Sequence, residues 1–345
     1  MHWRSLHGEF NVGVHVHLSK TKHGNSRSWC EADPLGGVVD KYPYSSTLQT
    51  NSPNNRSQPK GNGPLVKLEG FSNIEVWLVE GIASSRRLPR ARFQTMIVLR
   101  AKQVYSPRDK RELILINPFR VDEETERQVA RLGKISAVLR LVAGSADGDD
   151  RYYMETYGAK SFVYQSATTS ASSNKLHMPS SYWNSEHCQV FTQDSPPDCF
   201  EKFPRVEVLD IPVHPDFAES ILFFPDEQCL FVAAIMQNND PDHTRVYGMT
   251  LSDLKLSRVS IALSHLSGDI GHLHTPKAYL KSRCSDPAQL QLLMRFHGKL
   301  MCMDWDRVVC HRGGPSMQSA RRIRRDAIKD WPAEAFGVHS LLAVV

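Results

Sequence analysis

The sequence contains no CxxC pair, and its seven cysteines, Cys30, Cys188, Cys199, Cys229, Cys284, Cys302 and Cys310, are an odd number. Neither a disulfide framework nor a zinc ribbon is suggested, and reduced thiols in a cytosol-like compartment fit best. No run of about 18 apolar residues occurs, so no helix is expected to span a bilayer. The opening residues, MHWRSLHGEF, lack the apolar core of a secretory signal. Residues 1–30 are rich in Ser, His, Lys and Arg, as a transit peptide is, while Glu9 and Glu31 argue against one. The expected location is cytoplasmic, with organelle targeting by this segment left open. There is no GxGxxG and no Walker A loop, so no dinucleotide or nucleoside triphosphate cofactor is expected. Without a GxSxG there is no serine nucleophile elbow. No internal repeat of fixed period is present.

What is there has the balance of a globular chain. Of 345 residues, 41% are hydrophobic and 23% charged, enough for a sizeable core. The net charge of +5 is too small and too dispersed to point to a polyanion partner. Residues 1–62 read as a disordered or loosely ordered tail. The stretch SSTLQTNSPNNRSQPKGNGP has almost no apolar surface to offset its ordering entropy. Within the tail VGVHVHL alternates like a strand and carries His15 and His17. Residues 63–335 form the expected domain, and 336–345 a C-terminal tail.

Inside that domain the periodicity predicts strands at 73–81, 93–101 and 112–119, joined by turn-rich connections as in a meander. A helix over 122–133 follows, with acids in its first turn and Arg131 and Gly133 closing it. Next come a buried strand at 134–144, a short helix at 149–158 capped by Gly158, and a strand at 159–165. Strand, helix, strand in this order implies parallel pairing through crossover helices. Residues 166–200 read as an irregular, Ser-rich excursion. Strands are then expected at 205–213, 219–225 and 229–236, with PDEQ turning between the last two. An amphipathic helix at 286–300, a strand at 306–314 and a final helix at 316–331 complete the reading.

Three phrases in order carry a family resemblance. MIVLRAKQ with LILINPFRVDEETERQVARLGKISAVL, then LDIPVHPDFAESILFFPDEQCLFVAA, then WDRVVCHRGGP resemble the opening, the third and fourth metal motifs, and the closing strand of the metallo-β-lactamase family. The resemblance spans roughly residues 70–330 and implies an α/β fold, a four-layer αββα sandwich. It also implies a metal site built on a Thr-His-x-His-x-Asp-His loop, whose ions lower the pKa of a bridging water. Here that loop reads LVAGSADGDDRYY, with Gly144 and Ala146 where the first two histidines stand in the family. Asp147, Asp149 and Asp150 remain. The third motif's histidine matches His214 and the fifth's matches His311, while the bridging aspartate of the fourth falls at Ala233 or Ala234.

The candidate metal ligands are therefore His214, His311, Asp149 and Asp147. Each has a plainer reading: the histidines as hydrogen-bond donors to a neighbouring carbonyl, the aspartates as caps of the following helix. His272 and His274 in GHLHTP lie two apart, on one face if the segment is a strand, and His265 and Asp269 are near them in sequence. Arg321, Arg322, Arg324 and Arg325 crowd one helix, as a solvated or phosphate-binding face, without the aromatic interleaving that nucleic acid stacking uses. Cys310 precedes His311, but successive strand residues point to opposite faces and form no dyad.

Three functions follow from this reading. The first is a protein that has lost the family's two-metal hydrolysis and binds a small molecule in the old cleft, with no cofactor expected. The second is a metal-dependent hydrolase with a reduced, mononuclear site holding zinc, iron or manganese. The third is a partner-binding scaffold using residues 166–200 and the basic C-terminal helix.

Overall fold

Runs such as Val76–Val79 and Leu113–Ile116 are apolar at consecutive positions, so a strand made from them must be covered on both faces. The computed structural model, which describes residues 62–84, 91–102, 111–142, 149–165, 188–212, 218–239, 271–284 and 287–327, shows how that cover is supplied.

Among the described residues, seven strands form one sheet in the order β1 (Val66–Leu68), β2 (Ile74–Ser84), β3 (Ala91–Ala101), β4 (Glu112–Ile116), β5 (Lys134–Arg140), β6 (Lys160–Tyr164) and β7 (Cys188–Phe191). The β2–β3–β4 part is an antiparallel meander, and β4 to β7 run parallel. The second sheet contains β8 (Glu207–Asp210), β9 (Ser220–Phe224), β10 (Cys229–Asn239) and β11 (Gly271–His274), with β12 (Arg307–Gly313) parallel to β10.

Alternate residues of the first sheet go to different layers. Val76, Leu78, Ile97, Leu99, Ile114, Ile116 and Leu139 face inward and join Leu222, Phe231 and Val309 of the second sheet in one apolar core. Trp77, Val79, Met96, Val98, Leu113 and Leu115 face outward, under Val129 of α1 (Glu123–Leu132) and Tyr153 of α2 (Asp150–Tyr157). On the other side α3 (Lys277–Arg283), α4 (Pro287–Cys302) and α5 (Ala320–Ala327) bury Tyr279, Leu290, Leu293 and Ala320 in the larger core. The layers are helix, sheet, sheet, helix: a four-layer αββα sandwich. Each fully buried Leu or Ile contributes about 1.5–3 kcal/mol relative to exposure.

The N-terminus of α1 follows the sequence reading: the Asp122 side chain accepts the Thr125 amide at 2.7 Å. Its C-terminus does not. Gly133 has an extended φ of 166°, so no left-handed cap is made. A Cβ there would lie 2.2 Å from the Arg111 carbonyl oxygen, so the glycine permits the close approach of two chain segments instead. Gly158 does cap α2, with φ 66° and its amide on the Met154 carbonyl.

Two further expectations are corrected. The segment 166–200 is not wholly irregular: residues 188–191 add β7 to the sheet, and a 3-10 turn covers Asp198–Phe200. The last helix begins at Ala320, not at 316. The expected tail, with His15 and His17, lies outside the described residues apart from Asn62, which bridges to Gly81. No helix among the described residues is long and apolar enough to cross a membrane.

Candidate functional site

The rim implied by the resemblance is built on a corner where the two sheets meet. Past the end of β5, Val142 forms an antiparallel bridge with Glu219, and the Ser220 amide donates to the Leu141 carbonyl at 2.8 Å. Asp147 follows Val142 in the chain and His214 precedes Glu219; both lie outside the described residues.

Asp149 and Asp150 are described, and neither caps α2 with its side chain. Asp149 stands at the N-cap position, but its Oδ2 accepts the Arg120 amide at 2.6 Å. Its own amide donates to the Pro118 carbonyl, and the Tyr153 hydroxyl donates to the Phe119 carbonyl at 2.8 Å. The start of α2 is thus clipped to residues 118–120. Asp150 is wholly buried and ion-paired with Arg140. Both acids hold the polypeptide together around the loop they flank.

His311 sits in a different setting. It lies on β12 after Cys310, which is buried in the core. Its Nδ1 is 2.9 Å from the Thr95 carbonyl of β3. A carbonyl only accepts, so Nδ1 carries the hydrogen and the neutral ring's lone pair lies on Nε2. The Thr95 hydroxyl donates to the Gly313 carbonyl at 3.2 Å, a second tie between β3 and the end of β12.

Opposite His311 the β10–β12 ladder breaks. Val232 pairs with Cys310 and Gln237 with Arg312, so residues 233–236 stand against His311 alone. Such a bulge strips backbone groups of their ladder partners, and buried amides and carbonyls must find others. Glu219 supplies them. Its Oε1 accepts the amides of Ala234 and Ile235 at 2.7 and 2.8 Å. The Thr275 hydroxyl donates to the Ile235 carbonyl at 2.7 Å and in turn accepts from Arg324 Nη2. Glu219 is fully buried; desolvation raises its pKa, opposed by Arg283, by the two amides and by the Tyr279 hydroxyl. The carboxyl group near Ala234 therefore comes from Glu219, just before β9, and is turned onto β10 amides.

Arg324 overturns part of the reading of the basic helix. It is wholly buried, and its Nη2 also lies 3.3 Å from His297 Nε2. Burial first, and Arg324 second, keep the His297 pKa well below its ordinary value, so the ring is neutral and accepts at Nε2. Arg321 donates to the Met303 carbonyl at 2.8 Å, while Arg322 is exposed. The side chain of Arg325 lies outside the described residues, as do His265, Asp269 and the side chain of His272. His274 is on β11, half-buried.

A second acid escaped the sequence reading. Glu80 is 2% exposed, and among the described residues neither carboxyl oxygen has a hydrogen-bond partner. It pairs in register with Thr95, the residue whose carbonyl holds His311. Desolvation pushes its pKa up to about 8. The signal was present: Glu80 is in phase with Val76 and Leu78, the inward positions of β2. Among the described residues, no three His, Cys, Asp or Glu side chains converge as a metal-holding group.

No protein-family model and no curated protein matches the chain. Solved structures similar to it include the 1–254 fragment of a candidate diflavin flavoprotein A 5 from Nostoc sp. PCC 7120, at 11% identity over 79% of this chain and 97% of that one, with a TM-score of 0.47. A flavodiiron core from Synechocystis sp. PCC6803 has 11% identity over 78% and 61% of the two chains and a TM-score of 0.46. A metallo-β-lactamase from Pontibacter korlensis has 14% identity over 75% and 95%, with a TM-score of 0.38.

Proposed function

We propose that this chain is a metallo-β-lactamase-like protein without the family's two-metal hydrolysis, acting by binding a small molecule at the rim beside His311. One observation carries the reading: three described carboxylates at the corner, those of Asp149, Asp150 and Glu219, are spent on the fold. Asp150 is tied to Arg140, Asp149 to the Arg120 amide, and Glu219 to the amides of Ala234 and Ile235. A dinuclear site needs carboxylate and imidazole ligands that converge on the metals.

The posture of His311 favours a second reading. Histidine ligands donate one ring N–H to a carbonyl or carboxylate and ligate with the other nitrogen. With Nδ1 on the Thr95 carbonyl, Nε2 would be the ligating nitrogen, and His214 with Asp147 or Asp149 would complete a mononuclear site for zinc, iron or manganese. A divalent ion there would polarise a carbonyl or phosphoryl oxygen.

Elemental analysis and calorimetric titration with zinc, iron(II) and manganese separate the two. The first reading expects less than one tightly held ion per chain, unchanged in His311→Ala. The second expects one equivalent, lost in that variant. Two equivalents held cooperatively would overturn both.

A further inference from the structure

We propose that Glu80 anchors a buried site for one monovalent cation, K+ or Na+, completed by the Thr95 hydroxyl and the Gly313 carbonyl. The site lies where β3 meets the end of β12, and it is separate from any ion held through His311.

Register and hydrogen bonding bring the three groups together. Glu80 pairs with Thr95 across the β2–β3 ladder. The Glu80 carbonyl takes the Gly63 amide at 2.8 Å, and the Thr95 carbonyl takes His311 Nδ1. In an antiparallel strand the amide and carbonyl of one residue point to the same side, so the two residues turn their backbone groups away from each other. Such a non-hydrogen-bonded pair is the kind whose side chains stand closest, with Cβ atoms about 4.5–5.5 Å apart. Both side chains face inward, in phase with Val76 and Leu78 on β2 and with Ile97 and Leu99 on β3. The Thr95 hydroxyl in turn reaches the carbonyl of Gly313, the last residue of β12, at 3.2 Å. β4 stops pairing with β3 at Ile97 and Ile116. Thr95 lies one step beyond, at the end of the sheet where β5 runs on toward the acidic loop.

The chemistry selects the ion. Glu80 is almost fully buried, Thr95 wholly so, and Gly313 is buried with them. Among the described residues no donor reaches either Glu80 oxygen. A buried carboxyl left this way calls for a water, an ion or a functional role, and a buried carboxylate must be paired or coordinate a metal. The groups beside it are oxygens with lone pairs: a hydroxyl whose hydrogen goes to Gly313, and that carbonyl itself. One carboxylate and two neutral oxygens, with no nitrogen or sulfur, suit a hard cation and not zinc. A monovalent ion balances the single negative charge. A divalent ion would leave a net positive charge in a dry interior, where it is costly. An ion held here would join β2 to β12 through Thr95, the residue whose carbonyl holds His311.

Thermal unfolding of the full-length chain in potassium, sodium and choline chloride, at equal ionic strength and mildly alkaline pH, tests the site. Potassium or sodium, whichever fits, is expected to raise the wild-type melting temperature over choline by about 3 °C, as a ligand at roughly ten times its Kd does. Glu80→Gln keeps the shape and removes the charge, and it is expected to melt alike in all three salts. Thr95→Val is expected to shrink the shift. Crystals soaked in thallium(I), an anomalous scatterer that stands in for potassium, are expected to show an ion against the Glu80 carboxyl, Thr95 Oγ1 and the Gly313 carbonyl. Equal wild-type melting in the three salts, a shift that survives in Glu80→Gln, or thallium bound only elsewhere would overturn the site and leave Glu80 a neutral acid. Zinc titration of Glu80→Gln reports on the His311 reading by itself, so the two can fail separately.

Discussion

Arg140 and Asp150 form an ion pair inside the protein, the guanidinium at the end of β5 reaching the first residue of α2 across the acidic loop. The loop that the metallo-β-lactamase resemblance marks for metal binding is thus closed by a structural pair. Deleting one partner of a buried pair leaves the other charge desolvated, at a cost of about 3–5 kcal/mol. Asp150→Ala is expected to lose stability of that order in urea unfolding, and Asp150→Asn less. A loss under about 1 kcal/mol would mean that the pair is not the closure described.

Glu80 makes stability depend on pH. Its folded pKa of about 8 lies above the ordinary 4.5, so between those values the folded chain holds a proton that the unfolded chain has released. The unfolded state then binds fewer protons, and stability falls as pH rises through that window. Glu80→Gln is expected to match the wild type near pH 4 and to exceed it by up to about 5 kcal/mol near pH 8, at about 1.36 kcal/mol per pKa unit. Thermal unfolding of both proteins across this range gives the comparison; parallel curves would contradict the assignment.

Two glycines should respond differently to alanine. At Gly133 a Cβ would meet the Arg111 carbonyl carbon and oxygen at 3.0 and 2.2 Å, where the Lys134 amide already bonds that oxygen. Backbone must shift, and Gly133→Ala should cost about 2 kcal/mol or more. Gly158 has open space around it and only its φ of +66° to resist, so Gly158→Ala should cost about 1 kcal/mol. Equal melting temperatures for the two variants would refute this distinction.

Much of the layered architecture could be read from the chain because apolar periodicity and short connections constrain it locally. Asp122, Gly158 and the PDEQ turn sit where their chemistry places them. Non-local features were illegible. Glu219 reads as a polar residue at a strand edge until β10 is seen to bulge beside it. Arg324 reads as one of four surface arginines until Thr275 and His297 are brought under it by the fold. β7 is a short strand, CQVF, with two exposed residues, too weak a pattern to stand out from its Ser-rich surroundings. Of the four proposed ligands, His311 and Asp149 are described, and they do different work: one ring tied to a carbonyl, one carboxylate tied to an amide.

Anomalous diffraction from crystals of the full chain soaked in excess zinc or manganese tests the central claim most directly. At most one ion is expected, on His311 Nε2, with Asp150 still joined to Arg140 and Glu219 still on the amides of Ala234 and Ile235. Two adjacent ions bridged by Asp150 or Glu219, pulled free of those partners, would contradict it.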